Sequence, residues 1–250
     1  MKKVLVTRAL EQADEFAHLL KDYGFEPVIF PVISFEPPAD SSAVNKSIRD
    51  IGLYEWLIFT SANGVKFFMD ALSKSGGTVN DIAKIKICAV GPKTAEAAIK
   101  FGLDISLIPE NYNASGVLAS FESINIKRKT VLFPRAETGN DILPEGLKKM
   151  GARIDMVPFY RTAKPALRGN ELKKILHNGI DVVTFTSGST VDNLLSILGS
   201  RHLDKLKGIK IACISELTAA VAERHGLGCD IIARKNRVDS LVDAIKEYYL

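Results

Sequence analysis

The chain of 250 residues carries two repeats in alternation. Residues 3–38 resemble residues 130–165: Arg8 matches Arg135, Gly24 matches Gly151, Pro31 matches Pro158 and Pro38 matches Pro165. Residues 56–121 resemble 182–245 in the same way. LIFTSANGV falls against VTFTSGSTV, KICAVGPKTAEAA against KIACISELTAAVA, and FGLDISLIPE against HGLGCDIIAR. With the first repeat called A and the second B, the chain reads A, B, A, B. Any fold it adopts must use each repeat twice, so the repeat constrains the architecture before any single residue does.

Hydrophobic period separates strands from helices inside each repeat. In the first A repeat, 4–6 is a short apolar strand. Phe16, Leu19, Leu20 and Tyr23 then recur at helical spacing until Gly24 stops the helix, and 28–33 again reads as strand. The B repeats open on continuous apolar strands, 56–59 and 182–185. Helices follow with apolar residues at matching offsets: Val65, Phe68, Met69 and Leu72 in one, Val191, Leu194, Leu195 and Leu198 in the other. Further strands are expected at 85–90, 105–108, 209–214 and 230–233, and further helices at 94–101, 115–121, 218–225 and 238–248. Strands that are apolar throughout and alternate with amphipathic helices imply parallel sheets covered on both faces. One A plus one B supplies the strands of a flavodoxin-like doubly wound domain. The expected fold class is therefore α/β, with two flavodoxin-like parallel-sheet domains.

Periodicity leaves open which A joins which B. Sequential pairing crosses between domains once, through 123–129, which reads as an ordinary short loop. Interleaved pairing crosses twice, at 34–39 and 160–166, both proline-bearing and polar as interdomain linkers tend to be. That chemistry favours interleaving. Residues 1–33 and 167–250 would make one discontinuous domain, 40–159 the other, with 34–39 and 160–166 as linkers.

The 33 Lys+Arg against 29 Asp+Glu give a net charge of +4 with no basic block, which suits a small acidic ligand better than a nucleic acid. Cys88, Cys213 and Cys229 show no CxxC spacing, as in a reducing compartment. No signal segment is read at the start, and no apolar window reaches the ~18 residues of a membrane span. The expectation is a cytoplasmic protein without a membrane partner. Neither GxxxxGK[ST] nor GxGxxG occurs, which argues against nucleotide binding by those devices. The first strand ends in Thr7 and Arg8, not in the acidic cluster of a phosphoacceptor domain. The histidines fall on helices with no partner at ligand spacing, so no metal site is expected.

What recurs is Ser, Thr, Gly and Asn where a strand ends and a helix begins: Ser61 and Asn63 within 60–64, Gly91, Lys93 and Thr94 within 91–94, Ser187, Gly188 and Ser189 within 186–190, and Ser215 and Thr218 within 215–218. Helix capping favours the same residues and would explain one isolated site. Four on one edge point further, because ligand crevices of doubly wound sheets lie at the strands' carboxyl ends, where helix N-termini offer free N–H groups and partial positive charge. Two facing domains would form a cleft lined with these donors, supplemented by Thr7, Arg8, Lys93 and Arg135. A ligand with several carboxylates or phosphates would fit it.

FTSANGV, ICAVGPKTAEA, VLFPRAE, PFYRT and FTSGSTV, in this order and spacing, resemble the uroporphyrinogen-III synthase family over nearly all of the chain. The resemblance implies two interleaved flavodoxin-like domains joined by a two-stranded linker. One departure is Ser215-Glu216-Leu217-Thr218, where the first B repeat has Gly91-Pro92-Lys93-Thr94.

The activity so implied is cofactor-independent cyclisation of hydroxymethylbilane, a polycarboxylate, to uroporphyrinogen III, with loss of water and inversion of ring D, in tetrapyrrole (heme) biosynthesis. Such an enzyme must outcompete spontaneous closure to isomer I by positioning its substrate. Tyr160, whose repeat counterpart is Ile33, is the residue the resemblance offers as the group assisting hydroxyl departure; a strand tyrosine with its hydroxyl at a rim would look the same. The serines, threonines, Asn63 and glycines named above would bind carboxylates, largely through backbone N–H groups. A monomer is expected, with handover from hydroxymethylbilane synthase allowed. Two α/β domains with two crossovers also describe small-molecule sensors of the periplasmic-binding type, against which stands the lack of a signal peptide or DNA-binding segment.

Overall fold

The computed structural model describes residues 1–163, 165, 169–199 and 202–249, so the linker expected at 160–166 and the start of the segment expected at 167 lie partly outside the described residues. The first A repeat forms β1 (Lys3–Val6), α1 (Leu10–Asp22) and β2 (Glu26–Ile29), followed by the short β3 (Ser34–Glu36) and α2 (Ser42–Arg49). The first B repeat forms β4 (Trp56–Phe59), α3 (Ala62–Lys74), β5 (Lys86–Ala89), α4 (Pro92–Lys100) and α5 (Ala114–Glu122). The second A repeat gives β6 (Thr130–Ala136), α6 (Ile142–Lys149) and β7 (Arg153–Ala163). After α7 (Gly169–His177), the last B repeat runs β8 (Val182–Phe185), α8 (Gly188–Leu198), α9 (His202–Leu206), β9 (Lys210–Cys213), α10 (Glu216–Arg224), β10 (Ile231–Ile232) and α11 (Val238–Tyr249). Gly24, Gly102, Gly151 and Gly226, two repeat-related pairs, have φ of 80°, 82°, 90° and 78° just past α1, α4, α6 and α10. A side chain there would be strained, which is why both copies of each repeat end their helices on glycine.

Several elements differ from the sequence reading. The strand expected to reach residue 33 ends at Ile29, because Pro31 has no N–H to donate; Phe30 and Val32 still donate to the carbonyls of Val6 (3.0 Å) and Thr7 (3.1 Å). The strand expected at 105–108 shrinks to a single bridge between Cys88 and Leu107. Helices α2 and α7 have no counterpart in that reading. The first buries only Val44, Ser47 and Ile48, the second only Leu172, too few to establish a period.

Two five-stranded sheets result, ordered β10-β9-β8-β1-β2 and β3-β7-β6-β4-β5. In the first, β1 lies parallel to both neighbours, with Val4 opposite Pro27 on one side and Val182 on the other. The first A repeat thus shares a sheet with the last B repeat, and the first B repeat shares one with the second A repeat through parallel pairing of β4 and β6. The chain divides accordingly into two compact bodies: Met1–Ser34 with Ala163–Leu250, and Phe35–Thr162.

In the second body every residue of β4 is buried, because both faces of the sheet are covered. Leu57 and Phe59 pack with Val65, Phe68 and Ala98 of α3 and α4. Trp56 and Ile58 pack with Val117, Phe121, Leu143 and Leu147 of α5 and α6. Each fully buried phenylalanine of this set contributes about 1.5–3 kcal/mol relative to exposure. Strand β4 therefore leads into a helix on one face, while its neighbour β6 leads into a helix on the other. That divergence opens a crevice at the carboxyl ends of the two strands.

Candidate functional site

The crevice is a cavity of about 420 Å³. Its wall comes from the carboxyl ends of β4 (Thr60), β5 (Val90) and β6 (Arg135), from Asn113 before α5, from residues 138–140, and from Tyr160 on β7. A register shift opposite Arg135 and Ala136 pairs them with Pro158 and Tyr160 and leaves Phe159 as the extra residue. This bulge lets the consecutive Phe159 and Tyr160 both join one core cluster, where a regular strand would point them apart.

Tyr160 is only 8% exposed. Its ring stacks on Phe67, centroids 5.3 Å apart, and meets Phe35 edge-on at 5.8 Å. Its hydroxyl lies 2.9 Å from Ser61 Oγ. Ser61 is the N-cap of α3, and its Oγ accepts the Gly64 N–H at 3.0 Å. Arg135 brings positive charge to the same wall. It pairs with Asp141, donates from Nε to the Ala136 carbonyl at 3.3 Å, and lies over the Phe133 ring, 6.0 Å from its centroid.

The other predicted residues of this body sit at the same sheet edge. Asn63 is half-buried in the first turn of α3, Gly91 is the N-cap residue of α4, Lys93 is exposed and Thr94 is buried. The structure brings Ser61, Asn63, Gly91, Lys93, Thr94, Arg135 and Tyr160 to one edge of one sheet.

The first body gathers the rest at its own sheet edge. Ser187 caps α8 by accepting the Thr190 N–H, and also contacts Ser189 Oγ at 2.9 Å. Ser215 caps α10 through the Thr218 N–H, with the Thr218 side chain buried. A Cβ at Gly188 would come within 2.9 Å of Val221 Cγ2, so glycine there permits close packing of α8 on α10. Thr7 needs a correction: its side chain is fully buried and its hydroxyl donates to the Thr184 carbonyl at 2.6 Å, inside the sheet and not at its edge. Arg8 reaches the edge. Its Nη2 donates to Gln12 Oε1 at 3.1 Å, while Nε is buried without a hydrogen-bond partner, and burial lowers the guanidinium pKa. Ser61, Ser187 and Ser215 therefore cap helices, which leaves the first-turn N–H groups beside them as the donors a ligand would meet.

A profile of the family described as "Uroporphyrinogen-III synthase HemD" matches residues 14–243. The chain belongs to the uroporphyrinogen-III synthase family. A uroporphyrinogen-III synthase of Chlorobaculum parvum is 30% identical over 250 residues, covering 99% of each chain. The porphyrin biosynthesis protein HemD of Ruminiclostridium josui is 30% identical over 247 residues, 98% of this chain but 48% of that one, so the chain spans about half the length of that relative. Among solved structures, a uroporphyrinogen-III synthetase from Helicobacter pylori shares the fold at a TM-score of 0.62 and 15% identity, covering 99% of this chain and all of that one. A mutant uroporphyrinogen III synthase from Thermus thermophilus does so at 0.58 and 19%, covering all of this chain and 99% of that one. Among the described residues, no helix of this family member is long and apolar enough to cross a membrane.

Asn113, Thr138, Asn140 and Asp141 stand at or beside the cavity, and the sequence reading does not single them out. For Asn113 a signal was there: Asn-Ala-Ser-Gly opening an apolar period is an N-cap pattern, and its Oδ1 does accept the Gly116 N–H at 2.8 Å. For Asp141 the sequence offers only nearness to Arg135.

Proposed function

We propose that this chain closes linear hydroxymethylbilane to uroporphyrinogen III with Tyr160 as the group that protonates the departing hydroxyl. The ring A carbon–oxygen bond breaks, the oxygen leaves as water with the phenol's proton, and the pyrrole nitrogen lone pair completes an azafulvene electrophile. Ring D attacks through its substituted carbon, a spirocyclic intermediate forms and rearranges, and the proton lost at the final rearomatisation returns to the phenol. The net change is loss of one water, with no oxidant, reductant or cofactor needed. The observation that carries the reading is a tyrosine held on three sides, by Phe67, Phe35 and Ser61, on the wall of a polar cavity at a strand switch point.

Carboxylate binding falls to helix-end N–H groups near Ser61, Asn63, Gly91, Thr94, Ser187, Gly188, Ser189, Ser215 and Thr218, with Arg8, Lys93 and Arg135 supplying charge. The proposed enzyme has two flavodoxin-like domains on a two-stranded linker and acts as a cytoplasmic monomer that receives its substrate from hydroxymethylbilane synthase. Protein incubated with hydroxymethylbilane should yield isomer III. Tyr160→Phe should slow that reaction by about 10²–10⁴-fold and raise the share of isomer I, whereas Thr218→Ala should change the rate by about tenfold or less, since binding is spread over many backbone donors. Equal, small effects in both variants would refute the role given to Tyr160.

A further inference from the structure

Ser61 is one of two repeat-related serines, and its counterpart Ser187 caps its own helix in the same way. Capping therefore accounts for a serine at both positions. It does not account for the second contact that only Ser61 makes, 2.9 Å to the Tyr160 hydroxyl across 99 residues of chain. The repeat counterpart of Tyr160 is Ile33, so the fold itself requires no phenol opposite this cap. The Gly64 N–H occupies one acceptor position on Ser61 Oγ at 3.0 Å. With that position taken, the serine's own proton can be directed to the phenol oxygen.

Resting on the reading of Tyr160 as the acid, we propose that Ser61 is the positioning residue for its phenol, not a carboxylate-binding residue. It fixes the hydroxyl's direction and donates to the oxygen as the phenol gives up its proton. The phenol proton moves to the substrate oxygen, the Ser61 proton stays on Ser61 as a hydrogen bond to the phenolate, and the Gly64 N–H holds Ser61 from behind. A hydrogen bond to a charged oxygen is stronger than one between neutral hydroxyls, so Ser61 contributes most as charge develops. Phe67 and Phe35 fix the plane of the ring, but neither can hold its oxygen.

The test is a double-mutant cycle on the full chain, with hydroxymethylbilane as substrate and rate, KM, isomer ratio and melting temperature as readouts. Ser61→Gly removes the hydroxyl and keeps a residue that caps nearly as well, which guards against loss of folding; Ser61→Ala and Ser61→Thr accompany it. Ser61→Gly and Ser61→Ala are expected to lower kcat by about 10- to 100-fold with little change in KM, to raise the share of isomer I, and to be rescued by Ser61→Thr. In a Tyr160→Phe background the same substitutions should change kcat by less than about twofold, because the group Ser61 acts through is gone. A purely structural cap would shift the melting temperature alike in both backgrounds and leave the isomer ratio alone. If Ser61→Gly costs the same factor with and without the phenol, or raises KM at constant kcat, the proposal is overturned and Tyr160 remains the acid. If Tyr160→Phe itself is as fast as the unaltered protein, both readings fall.

Discussion

Gly116→Ala sets two effects of opposite sign against each other at the cavity's edge. Gly116 lies in α5 with an ordinary helical backbone, so helix propensity alone predicts that alanine stabilises by about 0.5–1 kcal/mol. The packing predicts otherwise. A Cβ at this position would overlap the Asn111 carbonyl oxygen and lie 2.8 Å from its carbonyl carbon and 2.9 Å from its Cβ. These are backbone and near-backbone atoms, which have no free rotamer to yield. Overpacking of this kind costs about 1–3 kcal/mol, and moving Asn111 also pulls on the Asn113 cap, itself worth about 1 kcal/mol. Sterics win, by roughly 1–3 kcal/mol net. In a chain of this size that lowers the melting temperature by about 3–10 °C. Asn113 and Ala114 line the cavity, so KM for hydroxymethylbilane should rise as well. Circular-dichroism melts and initial rates would measure both, with the exposed Ser115→Ala as the control for propensity alone. A melting temperature that rises in Gly116→Ala as it does in the control would refute the close approach on which the reasoning depends.

Thr7→Val should lower stability by about 1–3 kcal/mol in denaturant titrations without raising KM, because the buried Thr7 hydroxyl serves the Thr184 carbonyl and no ligand. A raised KM at unchanged stability would reverse that assignment. Burial pushes the Cys88 thiol up to about 12 from an ordinary 9.0. Between those values the unfolded chain has lost a proton that the folded chain keeps, so stability should fall with rising pH by up to about 1.4 kcal/mol per unit, and Cys88→Ala should flatten that limb of the stability–pH curve. Cys229 is held below its usual range by the hydrogen bond from Cys213, whose own thiol is pushed up by the same contact. A thiol reagent at neutral pH should therefore label Cys229 first, and Cys229→Ser should abolish the fast phase.

The legible part of the fold was what repeats and what is periodic. Trp56–Phe59 and Val182–Phe185 announced themselves as strands because both faces are buried, and Gly24 and Gly151 as helix stops because each needs positive φ. Elements that bury only one to three residues, α7 and α2, carry no readable period. At the cavity, single residues showed through and their partnerships did not. Tyr160 stood out against Ile33, but its contact with Ser61 joins two repeats that no local pattern relates. The bulge at Phe159 that aims Tyr160 is a property of strand register, which residue types alone leave unspecified. The burial of Thr7 is not legible either, because a threonine at a strand's end looks alike in sequence whether its hydroxyl faces a ligand or the neighbouring strand.

The strand order has a consequence for how the chain is made. Val4, Leu5 and Val6 end fully buried beside Val182–Thr184, which leave the ribosome long after them. At about 5–20 residues per second, β1 and β2 wait on the order of ten seconds with an apolar edge unpaired. All of Phe35–Thr162 emerges in that interval and contains every strand its own sheet needs apart from Ser34 at one end of β3 and Ala163 at one end of β7. Once that body has closed, it brings the flanking chain ends together: Ser34 Oγ donates to the Ala163 carbonyl at 3.4 Å. A long, entropically costly loop between β2 and β8 is thereby shortened before β8 has to find β1. The middle of the chain thus acts as a folding clasp for its two ends.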